Sequence, residues 1–192
     1  MKNLRFISIL LVSVLTLSSC VPAALVVGAT AGGAVIYDKR GVKTKMNDNA
    51  ISQNIYSTLK QDQSFGDNSR LSVAVFNGIV LLLGEVPNPE LSDQAFAVAS
   101  DTKGVRRVYN QIHVGPIAPL KVRSYSSLIT AQVKAAMLAT SGLRSTQIKV
   151  VTNNEVVYLM GVVSHKQANL ATHTVRQVTG VKKVVKVFEY EK

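Results

Sequence analysis

Hydrophobic positions along the chain predict the same order of elements twice. Apolar residues four positions apart predict a helix, and short stretches of alternating or continuous apolar residues predict strands. The first helix of each copy is predicted from residues with identical spacing: Ile51, Ile55 and Leu59 in one copy and Ile129, Val133 and Met137 in the other. From about residue 46 onward, the pattern therefore predicts an internal repeat.

A β-hairpin is predicted after the first helix of each copy. In the first copy, the turn signal Asn77-Gly78 separates apolar residues 71–75 from residues 79–83. In the second copy, residues 148–152 and 156–160 are predicted to pair around a turn at Asn153-Asn154.

The predicted helix starts rest on capping residues. Asp48 is expected to cap the first helix, and the corresponding helix of the second copy is expected to begin near Ser126. The later helix of each copy is expected to begin at Asn88, which is followed by a proline, and at Ser164, which pairs with Gln167 in a capping box.

Each copy ends with a third strand, at residues 105–114 and 181–188. The order is therefore α-β-β-α-β. The later helix connects two strands as a crossover, which favours parallel pairing of those strands. The predicted fold class is α+β, with two tandem domains in which two helices pack on one face of a three-stranded mixed sheet.

The first twenty residues resemble the leader of a bacterial lipoprotein. Lys2 and Arg5 are followed by an apolar stretch, and Leu17-Ser18-Ser19-Cys20 resembles a lipobox that contains the only cysteine of the chain. We expect residues 1–19 to be a signal peptide and Cys20 to be the lipidated mature N-terminus. The alternative is an ordinary signal peptide or membrane anchor with an incidental cysteine.

Residues 20–45 are predicted to form a tether. Residues 21–37 are apolar but rich in small side chains and glycine, so a second transmembrane helix is the competing interpretation. Val21 stands where an aspartate would resemble an inner-membrane retention signal. We therefore expect a lipid anchor in the outer membrane, on the periplasmic side.

The charge of the chain indicates an anionic partner. Its 22 Lys and Arg against 11 Asp and Glu give a formal net charge of +11. Export removes nucleic acid as the partner and leaves anionic phospholipid headgroups. The excess lies in the second copy, because residues 117–192 contain 11 basic and 3 acidic side chains, whereas residues 20–116 contain 9 and 8.

The repeated units resemble the BON domain family. The resemblance rests on a strand that ends in glycine and on a Gly-Val-x-x-Val motif, both of which occur twice: Gly84 and Gly161, then Gly104, Val105 and Val108, and Gly180, Val181 and Val184. The family's asparagine is present at Asn110, but Lys186 stands in its place in the second copy. We expect BON domains at residues 46–115 and 124–192, joined by a linker at 116–123.

The resemblance also implies a function. It implies a phospholipid-binding lipoprotein, not an enzyme and without a cofactor, that helps to maintain outer-membrane integrity and gathers at division sites. His113, His165 and His173 lack the spacing of metal ligands, so no metal site is expected. No motif singles out a catalytic nucleophile either.

The two copies differ on one helix face, and this difference predicts a binding surface. Beside the shared apolar positions, the second copy has Leu128, Ala131, Ala135 and Leu138, where the first has Ala50, Gln53, Ser57 and Lys60. The predicted phospholipid-binding residues are Leu128, Lys134 and Leu138, with Lys121, Arg123 and Arg144 nearby. Packing of this stripe against the first domain, or against an envelope or cell-wall protein, is the alternative.

Overall fold

A computed structural model describes residues 41–191. The predicted signal peptide and residues 20–40 of the predicted tether, including Cys20, lie outside these residues. The last residues of the predicted tether, 42–45, belong to the first helix instead. The two repeated domains belong to a single compact unit.

The described residues form four α-helices and six β-strands. The first domain contains α1 (Val42–Gln61), β1 (Arg70–Phe76), β2 (Ile79–Val86), α2 (Pro89–Asp101) and β3 (Arg107–Val114). The second domain contains α3 (Leu120–Ala139), β4 (Lys149–Asn153), β5 (Val156–Val163), α4 (His165–Arg176) and β6 (Lys183–Tyr190). The predicted α+β class and the repeated α-β-β-α-β order are confirmed.

Each domain has a three-stranded mixed sheet with the returning hairpin strand in the centre. β2 pairs antiparallel with β1 and parallel with β3, and β5 pairs in the same way with β4 and β6. The parallel pairing follows from the crossover helices α2 and α4, as the sequence predicts.

The helices of each domain cover one face of its sheet. The predicted apolar stripes of α1 and α3 are buried in the two domain cores, and alternate residues of the central strands, such as Val80, Leu82, Val157 and Leu159, face them. The predicted core positions of both first helices are therefore confirmed.

The opposite faces of the two sheets share a third apolar core. Buried residues of both domains form it: Ala74, Phe76, Ile79, Leu81, Leu83, Tyr158, Met160 and Val187. Both faces of each sheet are consequently covered, and every residue of β2 is buried. The domains thus form four layers, with the sheets inside and the helices outside.

The prediction that Asp48 caps the first helix is wrong. The helix begins at Val42, and Asp48 lies within it, where its carboxylate accepts hydrogen bonds from the backbone N–H groups of Asn77 (2.7 Å) and Gly78 (2.9 Å). Asp48 satisfies the donors of the hairpin turn instead of those of a helix end, and it fixes the turn against α1.

Three local expectations for the second domain need correction. α3 begins at Leu120, well before Ser126 and inside the predicted linker. The β4–β5 turn comprises Asn154 and Glu155, one residue later than expected, because both of these residues adopt positive φ angles. The Ser164 hydroxyl caps α4, but the Gln167 side chain contacts the loop after α3 instead of completing a capping box.

Candidate functional site

One side of α3 exposes apolar side chains to solvent. Leu120, Leu128 and Leu138 are 68%, 51% and 70% exposed, and Ala131 and Ala135 lie exposed between them. These five residues are called the α3 face below. Large exposed side chains of this kind, aligned along one helix, are typical of an interaction surface.

The fold explains why the α3 face is free. Ile129, Val133 and Met137 occupy the opposite side of the helix and are almost completely buried in the domain core. The interdomain core contains residues of the sheets and none of α3. Within residues 41–191, the α3 face is therefore not used for packing against the first domain, which was the alternative expectation.

Basic side chains accompany the α3 face. Lys121 and Lys134 are exposed on the helix, and Arg144 is exposed in the loop that follows it. The helix contains no Asp or Glu. Four of the six predicted binding residues are therefore exposed on α3 itself: Leu128, Leu138, Lys121 and Lys134.

Arg123 lies apart from the other predicted residues. It is half-buried and lines a cavity between the two domains, where its Nε has no hydrogen-bond partner. Arg144 lies beyond the end of α3, where its backbone N–H donates to Gln167. Neither residue belongs to the α3 face.

The sequence did not predict the positions of two residues of α3: Leu120, which belongs to the α3 face, and Tyr125, which lies beside it. Leu120 belongs to the first turn of α3 but was assigned to the linker, so the helical periodicity was not extended to it. Tyr125 is partly exposed one turn before Leu128, and its phenol oxygen packs against Gly180.

The equivalent side of α1 provides an internal comparison. Ala50, Gln53, Ser57 and Lys60 are exposed at the positions of Leu128, Ala131, Ala135 and Leu138. The two helices have the same length and pack on their sheets in the same way. The shared fold therefore does not require apolar residues at these positions, and their presence on α3 calls for a different explanation.

The perturbed titratable groups lie away from the α3 face. Burial raises the pKa of Tyr158, which lies between the sheets. Hydrogen bonds from the hydroxyl and backbone N–H of Ser64 lower the pKa of Asp62.

The histidines of the second domain are not arranged as metal ligands. His165 stacks on Tyr190 with ring centroids 3.9 Å apart. Within residues 41–191, no group of three His, Cys, Asp or Glu side chains is arranged to hold a metal ion.

The described helices also give no candidate for a transmembrane segment, since none combines the length and the apolar character that spanning requires. The fold and the α3 face together define a class of protein: tandem α+β domains in which the first helix of the second domain exposes apolar side chains.

The BON domain model matches residues 47–116 and 126–192, so the chain belongs to the BON domain family. It is 35% identical over 190 residues to outer membrane lipoprotein DolP of Haemophilus influenzae, covering 99% of this chain and 98% of that protein. The protein is thus a DolP-like lipoprotein with two BON domains.

Two further relatives have different names. The chain is 35% identical to a 21 kDa hemolysin of Actinobacillus pleuropneumoniae, with 80% of this chain and 79% of that protein covered. It is 30% identical to osmotically-inducible protein Y of Escherichia coli, with 81% and 78% covered. Together with the DolP similarity, these relatives indicate a protein of the bacterial cell envelope that is related to outer-membrane stress.

Proposed function

We propose that this protein is anchored in the outer membrane through a lipid on Cys20 and binds anionic phospholipid from the periplasmic side. The α3 face of the second BON domain makes the contact, without catalysis. By this contact the protein supports the integrity of the outer membrane, including at division sites.

The observation that carries the proposal is the composition of the α3 face. It presents three leucines that are half or more exposed, beside Lys121 and Lys134 and without any acidic residue on the helix. An amphipathic helix of this kind lies in the plane of a membrane interface, with its apolar side in the acyl boundary and its basic side chains near the headgroups.

The expected energies are sufficient for a reversible contact. Full burial of one leucine contributes about 1.5–3 kcal/mol, and each basic residue near an anionic surface contributes about 1 kcal/mol. Partial insertion of three leucines, together with the attraction of two lysines to the headgroups, therefore gives measurable affinity for an anionic membrane without any contribution from the anchor.

The proposed anchor strengthens this contact. A lipid on Cys20 holds the domains close to the bilayer, which raises the effective concentration of membrane around α3. The alanine variant Cys20→Ala should accumulate as an unprocessed precursor without acyl labelling, whereas normal labelling would exclude this residue as the attachment point.

The binding proposal is tested with vesicles and a matched pair of variants. A protein that begins at residue 36 is sedimented with vesicles that contain phosphatidylglycerol or only phosphatidylcholine. Leu138→Glu places a charge in the acyl boundary and should weaken binding to anionic vesicles by at least about tenfold. Lys60→Glu, at the equivalent position of α1, is the control and should have little effect.

Two results would contradict the proposal. Leu138→Glu with wild-type affinity would move the contact away from α3, and binding that does not depend on anionic lipid would remove the role of the lysines. Because the Leu138 side chain is 70% exposed, its replacement should leave the thermal unfolding of the protein unchanged.

A further inference from the structure

A polar cavity of about 380 Å³ lies between the two domains, beside α3. The first domain contributes Arg70 and Glu85 to its lining, and the second contributes Arg123, Thr130 and Thr152. This cavity is called the interdomain groove below. Polar groups that join the domains elsewhere are paired, as in Arg106 with Glu189 and Lys149 with the backbone oxygen of Val75, so two arginines without an ion pair call for a separate explanation.

The arginines of the interdomain groove form no ion pair among the described residues, although Glu85 lies opposite Arg70 on the neighbouring strand. The Nε of Arg123 is buried without any hydrogen-bond acceptor. Neither guanidinium takes part in an ion pair within residues 41–191, whereas Arg106 of the same protein pairs with Glu189 at 2.7 Å. An anion that enters the groove would offer the Nε of Arg123 an acceptor from outside the protein.

Glu85 determines which anions the interdomain groove can accept. Its side chain is almost completely buried, and Oε1 accepts a hydrogen bond from Nδ2 of Asn154 in the other domain at 2.9 Å. This carboxylate disfavours a doubly charged anion nearby but can accept a hydrogen bond from a hydroxyl or ammonium group. The charges of the groove therefore suit a singly charged phosphodiester whose alcohol portion carries such a donor.

We infer that the interdomain groove binds the phosphodiester of a phospholipid headgroup, through Arg70 and Arg123, while Glu85 accepts a hydrogen bond from the alcohol portion. The inference rests on the proposed function, because the α3 face brings the groove to the membrane. Ser127 and Thr130 of α3 line the groove, so one helix contributes to both sites. The α3 face then supplies apolar insertion, and the groove supplies recognition of the headgroup.

The test uses water-soluble headgroups, so that it does not depend on membrane insertion. The full mature protein, labelled with ¹⁵N-arginine in neutral maltoside micelles, is titrated with glycerophosphoglycerol, glycerophosphoethanolamine and inorganic phosphate. We expect the Nε resonances of Arg70 and Arg123 to shift with the diesters, whereas that of Arg176, exposed in the last turn of α4, stays unchanged. Arg70→Gln, at an exposed position that should not affect folding, should weaken diester binding at least about tenfold.

Several outcomes would overturn the inference. These are the absence of a shift at either arginine, unchanged affinity in Arg70→Gln, or an equal loss in the control Arg176→Gln. Inorganic phosphate that binds more tightly than both diesters would assign the groove to free phosphate and overturn its assignment to a lipid.

Failure of this inference can be distinguished from failure of the proposed function. If Leu138→Glu loses vesicle binding but no headgroup shifts the Nε resonances of the arginines, the α3 face is the membrane contact and the groove is not a headgroup site. If the Nε resonances of the arginines shift but Leu138→Glu binds vesicles like the wild type, the groove is a headgroup site and the α3 face is not the membrane contact.

Discussion

Gly84 illustrates how a shared motif residue can serve the fold instead of the site. Its φ angle is +123°, and a Cβ built on it would lie 1.8 Å from the backbone oxygen of Arg70 on β1. The equivalent Gly161 is constrained in a similar way, since its Cβ would lie 2.8 Å from the oxygen of Gln147. Both glycines permit close approach of the backbone to the central strand.

This geometry predicts a large loss of stability for Gly84→Ala. The methyl group cannot be accommodated without moving β1, so we expect the free energy of unfolding to fall by about 3 kcal/mol or more. Chemical denaturation measures the change. Gly41→Ala is the control, because no atom lies within 4 Å of its Cβ position. Similar stability of the two variants would show that β1 does not constrain this position.

Side-chain roles were only partly predictable at the residue scale. The cap at Asn88 is confirmed, because its side chain accepts a hydrogen bond from the N–H of Leu91 at 3.0 Å. Asp48 has the same kind of acceptor group, yet it binds a hairpin turn 29 residues away. Local sequence identifies an acceptor, but tertiary contacts determine which donor it meets.

The helix α3 shows what periodicity contributes at the scale of an element. Three apolar positions four residues apart predicted its buried side, and the comparison with α1 predicted the α3 face. Periodicity does not locate its start, because Leu120 directly follows a proline, which is typical of a linker. It also did not predict the position of Arg123, since the surface that the residue faces belongs to the other domain.

The charge on α3 leads to a prediction for this element. Lys121→Gln should weaken binding to anionic vesicles about fivefold, because a basic residue near such a surface contributes about 1 kcal/mol. Salt should reduce the difference between the variant and the wild type, since exposed charges are screened. Lys43→Gln, at the equivalent exposed position of α1, is the matched control in vesicle sedimentation. Equal effects of the two substitutions would indicate attraction by net charge alone.

At the scale of the whole molecule, the two domains are joined mainly by apolar contacts between their sheets. Met160 is fully buried there, whereas the ion pair of Arg106 and Glu189 lies at the exposed edge. The order of elements within a domain was predictable from local patterns. The packing of one sheet on the other was not, although the continuous apolar stretches of β2 and β5 are typical of strands covered on both faces.

The interface predicts unequal effects of two substitutions. Met160→Ala should lower the free energy of unfolding by about 2–5 kcal/mol, because it leaves a cavity in the shared core. Arg106→Gln should cost less than about 1 kcal/mol, because the ion pair is exposed. Both values follow from chemical denaturation, in which we expect the domains to unfold in a single transition. A larger loss for Arg106→Gln would show that polar contacts hold the domains together.

Contact between the α3 face and phospholipid can be observed by paramagnetic relaxation in NMR. The protein that begins at residue 36 is mixed with anionic micelles that contain a nitroxide-labelled lipid. We expect strong broadening of the backbone amides of Leu128 and Leu138, and little broadening at Ala50 and Lys60, the equivalent positions of α1. Equal broadening on α1 and α3, or strongest broadening elsewhere on the surface, would show that the α3 face is not the contact surface.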